Sequence, residues 1–348
     1  MTTPNRPHEI LRYTAFSADP AGGNPAGVVL DATGLSDDEQ LAIAAELGYS
    51  ETAFLTAPPA ELARRDRAYT VRYFSPRAEV SFCGHATIAA AIAHAERHGP
   101  GDLLLATPAG TVPVTVTGTA DGTLHATLTS VEPSVHKVAE NDVDEALRAL
   151  GWSRTDLDPG FPPRVGYAGA RHLILAVRTR ARLADLAYDF EHLKDFMTAL
   201  DLTTVQLVWR ESAAVFHVRD PFPVGGVVED PATGAAAAAF GAYARELGLV
   251  PQESVLLLHQ GTDMGRPGEL RVELHAGDPR VRVSGTGTRI PQPPHEAGMP
   301  LNRKCNPAGT SPAASRRHIS RNGDQVHEMR ADFTVPPPVS GENLAGNE

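Results

Sequence analysis

Apolar positions along this chain fall into short strand-like runs separated by polar turns, broken at intervals by helical spacing. Residues 11–16 and 26–30 read as strands around a turn-rich Asp19-Pro20-Ala21-Gly22-Gly23-Asn24-Pro25. Ser36-Asp37-Asp38-Glu39 is a capping box. It predicts a helix with Leu41, Ala44, Ala45 and Leu47 on one face, ending at Gly48. Strands are expected at 50–55 and 69–74, then a loop at 75–79 and an alanine-rich helix to His98. Further strands are expected at 102–106, 112–117 and 124–128. The second half restarts the series. It has a helix at 143–150, an extended stretch at 166–177, a helix at 183–200 and a strand pair at 203–210 and 213–219. A second alanine-rich helix follows, and strands at 255–259, 269–274 and 281–283 close the series.

The two alanine-rich helices have the same kind of entrance. Phe82-Cys83-Gly84-His85-Ala86-Thr87 opens the first, and Glu229-Asp230-Pro231-Ala232-Thr233-Gly234 opens the second. Each follows an extended segment, has a glycine where the helix begins and almost no charge in its first turns, and ends at a glycine (Gly99, Gly248). A helix start exposes unpaired N–H groups and about half a positive charge, which suits an anion. Two such starts, one per half, point to a small acidic ligand held between two similar lobes. Close helix packing through small residues would explain the same composition without a ligand. The recurrence predicts lobes over residues 1–128 and 129–290, with the last strands able to return to the first lobe. Beyond residue 291, Pro, Asn, Arg, Ser and Gly dominate. That tail, to 348, is expected to be disordered, and its Cys305 is assigned no chemistry.

Composition narrows the partners. The chain has 348 residues, 42% of them hydrophobic, and a net charge of −11. Both nucleic acid and membrane surfaces favour basic patches, so neither is expected as a partner. Two cysteines in unrelated contexts argue against a structural disulfide. With a polar stretch over residues 1–9 and no membrane-length apolar run, the expectation is a soluble cytoplasmic protein.

Four side chains carry candidate chemistry. Glu51 interrupts an apolar strand, and is either a solvated strand-end charge or a carboxylate set in a cleft, where burial raises its proton affinity. His85 lies one residue past a helix-starting glycine. That position disfavours imidazolium, so a neutral, proton-relaying ring is expected. Cys83 is either a proton-transfer thiol favoured by the helix start or an ordinary small buried residue. Asp230 is either a turn or capping aspartate or an acid aimed into the same cleft, and the two are compatible. His94 and His98 have helical spacing but no third ligand, so no metal is expected. Neither a phosphate-cradling glycine loop nor a nucleophile-elbow serine is present in its proper context.

Five motifs occur in order: Gly23-Asn24-Pro25, Ser50-Glu51-Thr52, Cys83-Gly84-His85-Ala86-Thr87, Glu229-Asp230-Pro231-Ala232-Thr233-Gly234 and Gln260-Gly261. Together they resemble the motif set of the PhzF-like phenazine-biosynthesis isomerases, of the diaminopimelate-epimerase-like fold, over roughly residues 8–290. The resemblance implies an α+β fold of two pseudo-symmetric lobes, each a barrel-like, mostly antiparallel sheet around a central helix. It implies a site at their junction, no cofactor, a homodimer and a role in secondary metabolism. It implies that Glu51 is the general acid/base that takes a proton from one carbon and returns one to another, with His85 and Asp230 as its catalytic companions. Substrate contacts are then expected at Asn24, Cys83, Gly84, Thr233, Gly234, Ala235, Gln260 and Gly261. One departure is Ala235, where the family usually has serine. Losing that hydroxyl removes a bond worth roughly 0.5–1.5 kcal/mol. Two other readings stay open: an amino-acid racemase of the same fold that uses Cys83 with a second base, and a metabolite-binding protein without catalysis.

Overall fold

In a computed structural model of the chain, residues 8–291 are described. The expected tail, Cys305 included, lies outside the described residues apart from its first position. Seven strands lead off in order: Leu11–Ala15, Asn24–Val29, Glu51–Thr56, Ala68–Phe74, Gly101–Thr107, Gly110–Gly118 and Leu124–Thr129. Their successive pairings are antiparallel, parallel, antiparallel, parallel, antiparallel, antiparallel. Seven later strands repeat that sequence of pairings: Arg164–Tyr167, Arg171–Ala176, Thr204–Arg210, Val215–Pro221, Ser254–Gln260, Gly268–Leu274 and Val281–Arg289. The duplication suggested by the two glycine-headed helices is therefore carried by the whole sheet.

One strand joins the two sets. Val281–Arg289 runs on to pair with Leu124–Thr129 and with Leu11–Ala15, closing the first set into an eight-stranded ring. Ser134–Lys137, just beyond Leu124–Thr129, pairs with Arg164–Tyr167 in the second set. The strand expected only at 281–283 thus extends to Arg289. Its continuation was hidden because Gly285 and Gly287 interrupt the apolar pattern. Both are glycine for lack of room. A Cβ on Gly285 would lie 2.4 Å from the Phe16 ring, and one on Gly287 would lie 3.0 Å from the Thr14 carbonyl.

Each ring encloses one alanine-rich helix, Gly84–His98 in the first and Gly234–Glu246 in the second. Ile88 and Ile92 of one, and Phe240 and Tyr243 of the other, are fully buried among the inward strand positions. A ring of this size leaves space for side chains but little for a bulky helix, which is why alanine dominates both. The remaining helices, Glu140–Leu150, Arg180–Ala184 and Phe190–Ala199, cover the outer face of the second sheet with a separate apolar cluster. Asp37–Leu47 packs on the first with a smaller one. Its expected capping box is present, with Ser36 Oγ accepting from the Glu39 N–H at 3.3 Å.

Two expectations change. The helix expected over 183–200 is two helices, because Asp185 ends the first and Asp189 caps the second by accepting from the His192 N–H at 3.0 Å. The extended stretch over 166–177 is part of a hairpin turned at Gly169, whose φ of +106° suits glycine.

Phe16 joins the two rings. It is fully buried with a left-handed φ of +65°, costly for an aromatic residue. Its N–H donates to the Thr286 carbonyl (2.7 Å), and its carbonyl accepts from the Glu269 N–H (2.8 Å). The ring touches both Gly285 and the Gly234 helix start. Gly285→Ala should therefore destabilise the protein by about 1–3 kcal/mol through overpacking. Chemical denaturation with an unchanged m-value is the measurement.

Candidate active site

Both helices begin at one place. A Cβ built on Gly84 would lie 3.5 Å from the Gly234 Cα and 3.6 Å from the Ala235 nitrogen, so the two N-termini abut. The N-cap residues, Cys83 and Thr233, make no side-chain capping bond. Two positive helix ends therefore converge. A cleft of about 370 Å³ opens over them, lined by Glu51, Cys83, Gly84, His85, Asp230, Thr233, Gly234 and Ala235 among others.

Glu51 is the first residue of its strand, whose parallel pairing sets Glu51 beside Ala26 at the ring's rim. The carboxylate is 9% exposed, which settles the choice between solvated charge and cleft group. Its Oε2 lies 3.4 Å from His85 Nε2 and 3.6 Å from Cys83 Sγ, and Cys83 Sγ lies 3.3 Å from His85 Nδ1. Ser50 Oγ also reaches His85 Nε2 at 3.2 Å. One atom each of Glu51, Cys83 and His85 lies within 4.8 Å of the others, a spacing that also fits a metal ion. Burial, with the Glu51 charge adding to it, pushes the Cys83 thiol well above its ordinary value. Desolvation thus outweighs the pull of the helix start toward thiolate.

Asp230 enters from the other lobe. Its short strand pairs back on Val215–Pro221, with Asp220 opposite Asp230 and Pro221 opposite Glu229. A buried ion pair pins this turn: Arg219 donates to Glu229 through Nε (2.9 Å) and Nη2 (2.5 Å). The Asp230 carboxylate accepts from Asn24 Nδ2 (2.7 Å) and Thr233 Oγ1 (2.6 Å). Burial pushes its pKa up to about 6; the His85 and Thr233 interactions oppose this, and the Glu51 charge adds to it.

The sequence profile of the phenazine biosynthesis-like protein family, PhzC-PhzF, matches residues 13–292. The chain belongs to the PhzC-PhzF family. An isomerase of Bacillus subtilis, YfhB, is 31% identical over 290 residues, covering 81% of this chain and 96% of that one. The trans-2,3-dihydro-3-hydroxyanthranilate isomerase of Pseudomonas chlororaphis is 31% identical over 288 residues, covering 80% and 96%. The solved PhzF-family protein of Bacillus anthracis superposes with a TM-score of 0.71 at 25% identity, covering 81% and 96%. A proline racemase from Agrobacterium radiobacter, at 15% identity and a TM-score of 0.57, shares the fold. This PhzC-PhzF chain is an isomerase with the α+β epimerase-like fold.

Within that family framework, the residues expected at the site divide into two sets. Glu51, Cys83, Gly84, His85, Asp230, Thr233, Gly234 and Ala235 line the cleft. Asn24, Gln260 and Gly261, expected to touch substrate, lie behind its wall instead. Asn24 is spent on Asp230 and the Ala232 carbonyl (3.0 Å). Gln260 accepts from the Thr233 N–H (2.9 Å) and donates to the Asp230 carbonyl (2.8 Å) and Thr233 Oγ1 (2.9 Å). Gly261, at φ +79°, leaves no space for a side chain, since a Cβ would lie 2.3 Å from the Arg266 carbonyl. All three brace the Asp230–Gly234 turn.

His94 is buried against Tyr69, with Nε2 2.9 Å from the hydroxyl; burial, with His98 adding, lowers its pKa to about 4. The sequence reading missed a further cleft wall, which includes Tyr167, Arg171, His172, Thr203, Thr204 and Phe222. A histidine inside the apolar run 171–176 was the only local sign of it.

The raised pKa of Asp230 makes a prediction with a definite sign. The folded state holds its proton more tightly than the unfolded chain, so the group favours folding below about pH 4. That advantage is lost as pH rises through about 6. Relative to Asp230→Asn, the wild type should lose stability across that window, by on the order of 1–3 kcal/mol. Paired denaturation curves at pH 4 and pH 7 measure it.

Proposed function

We propose that this isomerase moves a proton between carbons of a small carboxylated metabolite, with Glu51 as the group that carries it. The observation that carries the reading is the buried carboxylate of Glu51 set against His85 and Cys83, directly over two abutting, uncapped helix starts. The backbone N–H groups at Gly84 and Gly234 bind the substrate carboxylate. An anion there gains from both helix ends and does not need a lysine or arginine.

Glu51 then takes a proton from a C–H adjacent to an unsaturated bond. The double bond shifts, and the same carboxyl returns the proton to the far carbon. Oxidation level is conserved, so no redox cofactor is required. His85 keeps Glu51 oriented, and Asp230 accepts from the substrate's polar substituents. The trans-2,3-dihydro-3-hydroxyanthranilate isomerases among the relatives make a cyclic amino-hydroxy acid the first compound to try. By the same reading, the lobes divide near residue 129 and the protein works as a cytoplasmic homodimer, with a solution mass near twice 36.9 kDa by light scattering.

Solvent deuterium uptake tests the mechanism. In heavy water, wild type should place deuterium in dihydro-hydroxyanthranilate or a related small amino or hydroxy acid, and Glu51→Gln should lower that rate by roughly 10²–10⁴-fold. Uptake unchanged in Glu51→Gln but lost in Cys83→Ser would replace this reading with a thiol-based racemase. Tight binding of a compound without uptake in any of them would replace it with a binding protein.

A further inference from the structure

The repeat in the sheet gives Glu51 a counterpart. Val80 lies opposite Tyr73 in the first set, as Asp230 lies opposite Asp220 in the second. Tyr73 is paired with Ala53, and Asp220 falls opposite Gln206, one position beyond the paired Leu207 and Arg219. Two residues before Ala53 is Glu51, and two before Gln206 is Thr204. Thr204 therefore occupies the Glu51 position of the second lobe, and it lines the same cleft.

Thr204 is the centre of a buried polar line. Its hydroxyl lies 2.8 Å from His172 Nδ1 and 2.7 Å from Asp220 Oδ1. All three residues are 0–1% exposed, and burial pushes the Asp220 acid well up and lowers His172 to about 3. Burial thus favours the uncharged form at both ends of the line. The far atoms of both ends, His172 Nε2 and Asp220 Oδ2, have no hydrogen-bond partner in the structure. Unsatisfied buried polar atoms are uncommon and costly in native proteins. Nε2 itself is covered by protein, but His172 lines the cleft, so a small ring movement lets a ligand there supply what the protein does not.

We propose that His172, held by Thr204 and Asp220, is a subsite for a neutral hydroxyl or amino substituent of the substrate, across the cleft from Glu51. The line can be polarised either way without creating charge. With a proton on His172 Nδ1 donated to Thr204, and Thr204 donating to Asp220, Nε2 accepts. With the Asp220 acid donating to Thr204, and Thr204 donating to Nδ1, Nε2 donates. Such an uncharged site suits a hydroxyl or a neutral amine and disfavours a second carboxylate. Ala235, which offers no side-chain hydroxyl at the helix start, leaves this wall as a polar contact for the substrate's far end.

The inference rests on the carboxylate-binding reading above, so its test measures binding rather than turnover. The probes are 3-hydroxyanthranilate, an aromatic compound that cannot be isomerised, and benzoate, which keeps the ring and carboxylate but lacks both substituents. Titration calorimetry on the full chain should show wild type and Glu51→Gln preferring 3-hydroxyanthranilate. His172→Met should lose roughly three- to tenfold of that preference while binding benzoate as before. His172→Gln, which can set a polar atom near the Nε2 position, should recover part of it. Thr204→Val guards against a folding defect in the His172 variants and should also weaken the preference. A preference kept intact in His172→Met and Thr204→Val overturns the subsite and leaves the Glu51 reading standing. Wild type that binds neither probe overturns the subsite along with the carboxylate reading, while deuterium uptake still judges Glu51 separately.

Discussion

Two helix N-termini that meet without caps impose the constraint on which this molecule is built. Each brings partial positive charge and unpaired N–H groups to a buried junction. Placed head to head, the two ends repel and leave donors unsatisfied unless negative or accepting groups stand over them. The chain supplies Glu51 from one lobe and Asp230 from the other, and leaves a cleft between them. The two rings of strands exist, in physical terms, to hold that junction closed. Each encloses its helix with alanine-scale packing, and the first is closed by Val281–Arg289, which arrives from the second half.

Because the halves share a strand, the junction is not a hinge between independent bodies. Val281–Arg289 is hydrogen-bonded to both sets, and Phe16 is wedged in a strained backbone conformation against Gly285 and the Gly234 helix start. The bracing continues on the second side. Asn24 reaches across from the first lobe to Asp230, and Gln260 and the Arg219–Glu229 pair hold the turn that carries it. Residues that the motifs nominate as substrate contacts thus serve to fix the position of one carboxylate.

Duplicated architecture makes the chemical asymmetry legible. Cys83, His85 and Glu51 are matched by Thr233, Ala235 and Thr204 at the corresponding places, so three titratable side chains of the first set stand where the second has two hydroxyls and a methyl. One duplicated frame thus carries unlike chemistry on its two sides.

The sequence by itself determined the two central helices and much of the site. Gly84 and Gly234, preceded by Cys83 and Thr233 and followed by alanine, mark buried helix starts through local chemistry alone, and the capping box at Ser36 does the same. Glu51, His85 and Asp230 were readable because charged or titratable groups beside apolar runs stand out locally. What only the tertiary structure decided is non-local. The extension of the last strand to Arg289 depends on glycines that fit against Phe16 and Thr14. The thiol character of Cys83 depends on burial beside a carboxylate 32 positions earlier in the chain. The retreat of Asn24, Gln260 and Gly261 behind the wall, and the line from His172 through Thr204 to Asp220, depend on strand register. Periodicity states which face a residue takes within its own strand; which residues of other strands share that face is set only when the ring closes.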